Sequence, residues 1–300
     1  MDISVIIGSY NQQERLTRVL DGYVNQKTAI DFEVIVVDSF STDGTDEMVK
    51  SFSPVNFSLR FIQRENPSGK AEARNVGVSQ SKSDIIIITD ADMIPDENFV
   101  QSHFNAHKAA NAPCCFEGLA YNLLSYDWPP ESVQNLPTQV AKKYKDGDRL
   151  DWYYFLTGNL SFPKSYFNLE KGFSLDFKNY GWEDLELGYR LKKRGLPLYY
   201  LTSAVNYHYH VITHEEQVDR KFYMGQSAQI FMKKHPELKL FLGFNPLSIM
   251  IRKSLSKSGV IFRFISTLKQ SKWSFLRSFS YWFQAEFNYL SGLLSLDFDS

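Results

Sequence analysis

Apolar residues in the first half of the chain fall into short runs separated by segments of helical spacing. Residues 4–7, 33–37, 59–63 and 85–88 read as strands, and the four consecutive isoleucines of the last run suit a strand buried on both faces, as in sheets covered by helices. Residues 12–24 put Leu16, Val19, Leu20 and Tyr23 on one helical face, with Asn11 as the expected N-cap and Glu14 three residues on, as in a capping box. The polar loop Ser39-Phe40-Ser41-Thr42-Asp43-Gly44-Thr45 leads into a short helix ending near Phe52, and a helix from Ser68 to Ser81 carries Lys70, Arg74 and Asn75. Strands alternating with helices predict an α/β fold built on a mostly parallel sheet flanked by helices, with right-handed crossovers.

Beyond this half the pattern predicts a helix over 97–110, a strand over 113–124, a loop region after Asp127-Trp128-Pro129-Pro130, and an aromatic β-prone stretch over 152–162 interrupted by Gly158-Asn159. A helix over 182–194 ends at Gly195, and two short strands are expected over 197–201 and 204–210. From Glu215 onward the spacing is helical. We therefore expect one α/β domain over residues 1–214 and a helical C-terminal region over 215–300.

The isoleucine strand ends in Thr89-Asp90-Ala91-Asp92. Residues two apart in an extended chain project to the same side, so Asp90 and Asp92 can converge at the carboxyl edge of the sheet, where open α/β sheets bind ligands. Paired carboxylates suit Mg²⁺ or Mn²⁺ beside substrate phosphates; an Asp-rich turn at a strand end is the competing reading. Asp38, ending the second strand, would either accept hydrogen bonds from a base or ribose or simply cap its turn. Lys70 and Arg74 lie one helical turn apart, which suits an anionic group or a solvated helix face. Glu183-Asp184 opens a helix, either as N-terminal acids favoured by the macrodipole or as a general base. His208 and His210 share one side of a strand, as ligands or as packed imidazoles.

Composition narrows the classes. The chain carries 33 basic and 34 acidic residues, a formal net charge of -1, and no global basicity points to nucleic acid. The two cysteines are adjacent, Cys114-Cys115, and suit a reducing compartment rather than a disulfide framework. The N-terminus shows no basic segment followed by a long apolar stretch, and no apolar run is long enough for a membrane span. The expected location is the cytoplasm or the inner face of the cell membrane.

Val5-Ile6-Ile7-Gly8-Ser9-Tyr10-Asn11, Val36-Val37-Asp38-Ser39 with Asp43-Gly44-Thr45, Arg74-Asn75-Val76-Gly77, Asp90-Ala91-Asp92 and Glu183-Asp184 together resemble the family 2 glycosyltransferases of the GT-A fold. The stretch from Trp182 to His208 is similar in particular to bacterial chondroitin-polymerase-type domains of the galactosyltransferase branch. The resemblance covers residues 3 to about 210. It implies an inverting, metal-dependent transferase that moves a sugar from a nucleotide donor, UDP first, to a glycan or lipid-linked hydroxyl in polysaccharide biosynthesis. It implies donor binding by Ser9, Tyr10, Asp38, Lys70, Arg74, Asp90 and Ala91, with Mn²⁺ or Mg²⁺ held by Asp92, His208 and Asp90. Asp184 would be the base with Glu183 beside it, and Trp182, Gly158 and Asn159 would meet the acceptor; His210 has no counterpart. Where that branch usually shows Trp-Gly-Gly before Glu-Asp, this chain has Tyr180-Gly181-Trp182. A non-catalytic nucleotide-sugar-binding protein on the same fold is the alternative. A nucleotidyltransferase ranks below both, because no Gly-rich basic loop follows the first strand.

The tail lies outside the resemblance. From Lys239 to Ser300 eight basic residues stand against three acidic ones, interleaved with Phe262, Phe264, Trp273, Phe275, Phe279, Tyr281, Trp282 and Phe283. Basic residues with aromatics on amphipathic helices suit an interfacial membrane helix; packing on the catalytic domain or pairing into a homodimer accounts for them equally.

Overall fold

The structure is a computed structural model that describes residues 1–67, 69–126, 135–137, 142–255 and 259–295. Ser68 and the Asp127-Trp128-Pro129-Pro130 turn lie outside the described residues. The chain divides into two compact units, residues 1–175 with 184–211, and residues 176–183 with 212–300.

In the first unit, β1 (Ile3–Ser9), β2 (Phe32–Asp38), β3 (Ser58–Gln63) and β4 (Ile85–Asp90) form one parallel half-sheet in the order β3-β2-β1-β4. Alternation explains why it is buried on both sides. Ile3, Val5, Ile7, Val34, Val36 and Ile87 enter one core, covered by α1 (Gln13–Val24) and α4 (Phe99–Ala109). Ile6, Ile35, Val37, Ile86 and Ile88 enter the other, covered by α3 (Lys70–Gln80) and α6 (Glu183–Lys193). Gly77 lets α3 approach closely, since a Cβ there would lie 2.3 Å from Ile6 Cγ2.

The second half of the sheet is mixed. β9 (Leu160–Pro163) runs antiparallel between β4 and β6 (Cys115–Leu123), and β10 (Leu198–His208) pairs parallel with β6 and antiparallel with β5 (Met93–Pro95) and β8 (Arg149–Leu150). β7 (Asn135–Pro137) adds an antiparallel edge to β6, and α2 (Thr45–Ser51) and α5 (Lys164–Leu169) complete the unit.

Three local expectations change. The two strands expected over 197–210 are one strand, whose register against β6 shifts between Leu201 and Val205; an irregularity of this kind re-aims a strand without ending it. Residues 152–154 form a 3-10 turn, not a strand, because the Asp151 side chain accepts from Trp152 N. The N-terminus of α1 is not capped by Asn11, whose φ is +48°. Instead the Asp43 carboxylate accepts from Gln13 N at 2.9 Å, and the Asn11 carboxamide oxygen accepts from Thr42 N at 2.8 Å. The cap crosses between loops 30 residues apart and ties the ends of β1 and β2 together.

In the second unit α7 (His214–Lys234) opens on a capping box made by Thr213 and Glu216 and runs alongside α10 (Ser274–Leu293), with α8 (Pro246–Ser254) and α9 (Val260–Thr267) between them in sequence. Asn288 donates to the Val218 carbonyl, and Gly292 lies against Phe222, so α7 and α10 point the same way. The segment 176–183 joins this unit through Phe177 and Trp182, whose rings pack on Phe231.

Candidate active site

The order β3-β2-β1-β4 puts a topological switch point between β1 and β4, the crevice where open α/β sheets take ligands. Register fixes its edge: Ser9 is opposite Asp38, and Gly8 is opposite Asp90. The Ser9 hydroxyl is buried with no hydrogen-bond partner among the described residues, while Tyr10 beside it is 55% exposed. Asp38 is fully buried, and its carboxylate accepts from the backbone N–H and the hydroxyl of Ser41. The turn-capping reading of Asp38 is thus realised. Ala91 is buried between the two carboxylates of the strand end.

Asp90 and Asp92 have different partners. Arg74 donates to Asp90 Oδ1 at 2.9 Å, and Lys70 Nζ lies 3.7 Å from Asp90 Oδ2. Lys70 and Arg74 therefore meet one anion from successive turns of α3, and that anion belongs to the protein. Burial pushes the Asp90 carboxyl up, but the charges of Lys70 and Arg74 outweigh it and hold the group below its usual range.

Asp92 faces two imidazoles. Its carbonyl accepts from Tyr209 N at 2.7 Å, and His208 pairs with Met93 in the antiparallel β5–β10 ladder. That pairing draws the end of β10 on to the strand end. His208 Nε2 and His210 Nδ1 lie 3.5 and 3.7 Å from Asp92 Oδ2, and ligand atoms of Asp92, His208 and His210 all lie within 4.8 Å of one another. Burial favours the neutral Asp92 acid, but hydrogen bonds from His208 and His210 and the charges of His208 and Lys70 hold the carboxyl far below its usual value. Asn122 Oδ1, which can only accept, stands 3.3 Å from His208 Nδ1 and takes a hydrogen bond from it in the tautomer that carries the proton there. A cation held here would meet Nε2 of His208 while Nδ1 faced Asn122.

Among the described residues the group whose ligand atoms could hold a metal ion is Asp92, His208 and His210; Asp90, expected with Asp92 and His208, is instead engaged by Arg74 and Lys70. His210, weighed with His208 in the sequence but without a counterpart in the resemblance, joins this group, and Asn122, which the sequence did not single out, stands beside His208. His210 carried a signal in its two-residue spacing from His208; Asn122 carried none.

The expected acceptor residues are placed otherwise. Asn159 is 1% exposed, and its carboxamide is used up by His103 Nε2 and the carbonyls of Leu119 and Ala204. The Gly158 carbonyl accepts from Thr89 and Asn206. Both therefore brace the sheet. The Trp182 indole donates to the Met224 carbonyl at 3.0 Å within the second unit, on a backbone where Gly181 and Trp182 both have positive φ, +91° and +75°. A bulky residue there is strained.

Glu183, the first residue of α6, is buried in the 176–183 segment, whereas Asp184 belongs to the first unit and accepts from Leu185 N at 2.8 Å. Asp184 also faces Glu117, a buried residue of β6 whose carboxylate accepts from Leu156 N at 3.1 Å. Burial pushes the Glu117 carboxyl well above its usual range, the Leu156 bond opposes this, and the Asp184 charge adds to the rise.

Comparison with known proteins agrees with this architecture. The chain is 31% identical over 265 residues to validoxylamine A glucosyltransferase of Streptomyces hygroscopicus subsp. jinggangensis, covering 79% of this chain and 61% of that protein. It is 26% identical over 264 residues to chondroitin synthase of Escherichia coli, covering 78% and 38% respectively. The alignments thus span about six-tenths or less of those relatives. In fold it is similar to S. aureus TarS residues 1–349 in complex with UDP (TM-score 0.59, 16% identity, 98% of this chain and 91% of that one). It is likewise similar to the mannosyltransferase PcManGT of Pyrobaculum calidifontis in complex with GDP-Man and Mn²⁺ (TM-score 0.62, 18% identity, 98% and 88%). The Glycosyl transferase family 2 profile matches residues 4–164, the segment that builds the parallel half-sheet, the switch-point crevice and both carboxylates. A match over more than half of the chain, on the residues that form the crevice, shows that this protein belongs to glycosyl transferase family 2.

Proposed function

We propose that this chain transfers a sugar from a nucleotide donor, UDP-linked first, to a hydroxyl of a glycan or lipid-linked acceptor, with inversion at the anomeric carbon. The observation that carries this reading is the pairing of two devices at one strand end: an Asp92-His208-His210 group and, two residues before it, Asp90 under Lys70 and Arg74. Relatives named as a glucosyltransferase and a chondroitin synthase, and fold neighbours bound to UDP and to GDP-Man, support it.

The donor set fits a divalent cation. One carboxylate and two imidazoles within 4.8 Å of one another suit Mn²⁺ better than Mg²⁺, which prefers oxygen ligands throughout. A cation bound there would neutralise charge growing on the departing diphosphate. Asn122 keeps His208 in the ligating tautomer. Lys70 and Arg74 contribute fixed positive charge at the same strand end. Asp184, whose Oδ1 accepts from Leu185 N, takes the proton from the acceptor hydroxyl as it attacks.

The test is a screen of UDP-sugars, with Mn²⁺ present, for release of UDP by the purified chain. Asp184→Asn should retain donor binding by calorimetry and lose turnover about 10²-fold or more; near-normal turnover would remove Asp184 as the base. Asp92→Ala should abolish metal-dependent donor binding. Release from no UDP-sugar, with or without acceptor glycans, would overturn the UDP assignment.

A further inference from the structure

We propose that the second unit docks on an anionic lipid surface through α9 and the first half of α10. This rests on surface chemistry alone and holds whether or not the donor site transfers a sugar.

Helix α9 is apolar on two sides. Phe262 packs inward on Phe283 and Phe287, with ring centroids 6.0 and 4.6 Å away. Val260, Ile261 and Phe264 point elsewhere and are 83, 60 and 65% exposed. No residue of α9 is buried, although a helix of such composition ordinarily lies inside a core. On α10, Phe275, Phe279 and Trp282 recur at i, i+4 and i+7 and form one exposed stripe, while Phe283 and Phe287 on the adjoining side face α9. Exposed apolar residues on two packed helices mark an interaction site.

Charge selects the occupant. From Leu238 to Ala285 the sequence holds eight Lys and Arg residues and no Asp or Glu. Arg263, Lys272 and Arg277 are exposed, and among the described residues none of them forms an ion pair. A helix pair folding on to another protein face would bury these cations or need acids opposite them. An anionic bilayer accepts aromatics at the headgroup level and supplies negative charge at the same depth. No described helix is long and apolar enough to cross a membrane, so these helices would lie on the surface rather than pass through it.

The full chain is floated with phosphatidylcholine vesicles prepared with and without phosphatidylglycerol. We expect co-flotation with the anionic vesicles only, release at high salt, and a blue shift of tryptophan emission from Trp273 and Trp282. The triple variant Arg263→Glu/Lys272→Glu/Arg277→Glu should lower the partition at least about tenfold. Phe264→Ser/Phe279→Ser should lower it similarly with the thermal midpoint unchanged, since both rings are exposed. Equal partition into neutral vesicles, or no flotation at all, would overturn the proposal. So would a dimer that Phe264→Ser/Phe279→Ser dissolves without any flotation of the parent chain, which would assign the face to a second copy.

Discussion

The Nδ1 atom of His210 stands 3.7 Å from Oδ2 of Asp92. His210 lies past the last residue of β10 and reaches this position because Tyr209 N bonds to the Asp92 carbonyl. His208 approaches the same carboxylate oxygen from the strand itself. A third donor at that distance changes what the site could hold, from a carboxylate with one imidazole to a carboxylate with two.

If His210 is a ligand, His210→Ala should weaken Mn²⁺ binding by more than the roughly 10–100-fold that losing an outer hydrogen-bond partner costs. Asn122→Ala should fall within that range, since it frees the His208 tautomer without removing a ligand. Titration of Mn²⁺ by calorimetry in the presence of UDP measures both. Equal affinity in His210→Ala and the parent would return the site to two protein ligands.

The buried histidines on the far side of the sheet make acid stability a second measurable quantity. His103 Nδ1 and His107 Nε2 both meet the Ser161 hydroxyl, at 2.8 and 2.9 Å. Burial lowers His103 to about 3 and His107 to about 4. Unfolded histidine titrates near 6.5, so the unfolded chain binds more protons than the folded one below that pH, and stability falls as pH drops from about 6.5 toward these values. Each histidine should contribute a slope of about 1.4 kcal/mol per pH unit well inside that window. Urea denaturation at pH 7 and pH 5 should show the loss, and His107→Gln should reduce it. A stability independent of pH over this interval would mean that the imidazoles are solvated.

How much of this was legible in the sequence differs by residue. The strand Ile85-Ile86-Ile87-Ile88 and the carboxylates after it could be read because a doubly buried strand and its polar end are local signals. The i,i+4 spacing of Lys70 and Arg74 predicted one shared anion and could not say that the anion is Asp90. Asn159 reads in the sequence only as an interruption, with Gly158, of a β-prone stretch. Its burial depends on His103 and on the carbonyls of Leu119 and Ala204, which come from three other elements. The cap of α1 departs from the local signal for the same reason: Asp43, 30 residues from Gln13, takes the place of the neighbouring Asn11. Long-range pairing decided each of these, and the pairing becomes visible only once the sheet register is known.

The α7–α10 crossing in the second unit gives a test that separates packing from chemistry. A Cβ on Gly292 would lie 1.9 Å from the Phe222 carbonyl oxygen, and one on Gly225 would lie 2.1 Å from that of Tyr289. Both obstacles are backbone, so relief requires the helices to move apart. Gly292→Ala should therefore destabilise the chain by about 2–3 kcal/mol, at the upper end of overpacking costs, as measured by thermal or urea unfolding. An unchanged midpoint would show that the two helices do not hold this spacing in solution.

Arg74 and Asp90 form the pair whose removal should tell fold from function. Arg74 is 3% exposed at the side chain and Asp90 29%, with 2.9 Å between them. Arg74→Met strips the closer cation from a largely buried carboxylate and should destabilise by about 2–3 kcal/mol, the lower side of such losses because Lys70 remains within reach. Asp90 is held below its usual range in the folded chain. It therefore stabilises above its unfolded pKa, near 3.9, and the benefit fades as pH falls through the lower folded value. The gap between Arg74→Met and the parent should accordingly narrow below about pH 4. Arg74→Met/Asp90→Asn removes both charges and should recover about 1 kcal/mol or more relative to additivity. Recovered stability should not bring back UDP affinity if Arg74 also serves the diphosphate, because the cation is still missing. A double variant that regains both would make the Arg74–Asp90 pair an architectural brace, leaving Lys70 as the donor-facing cation on α3.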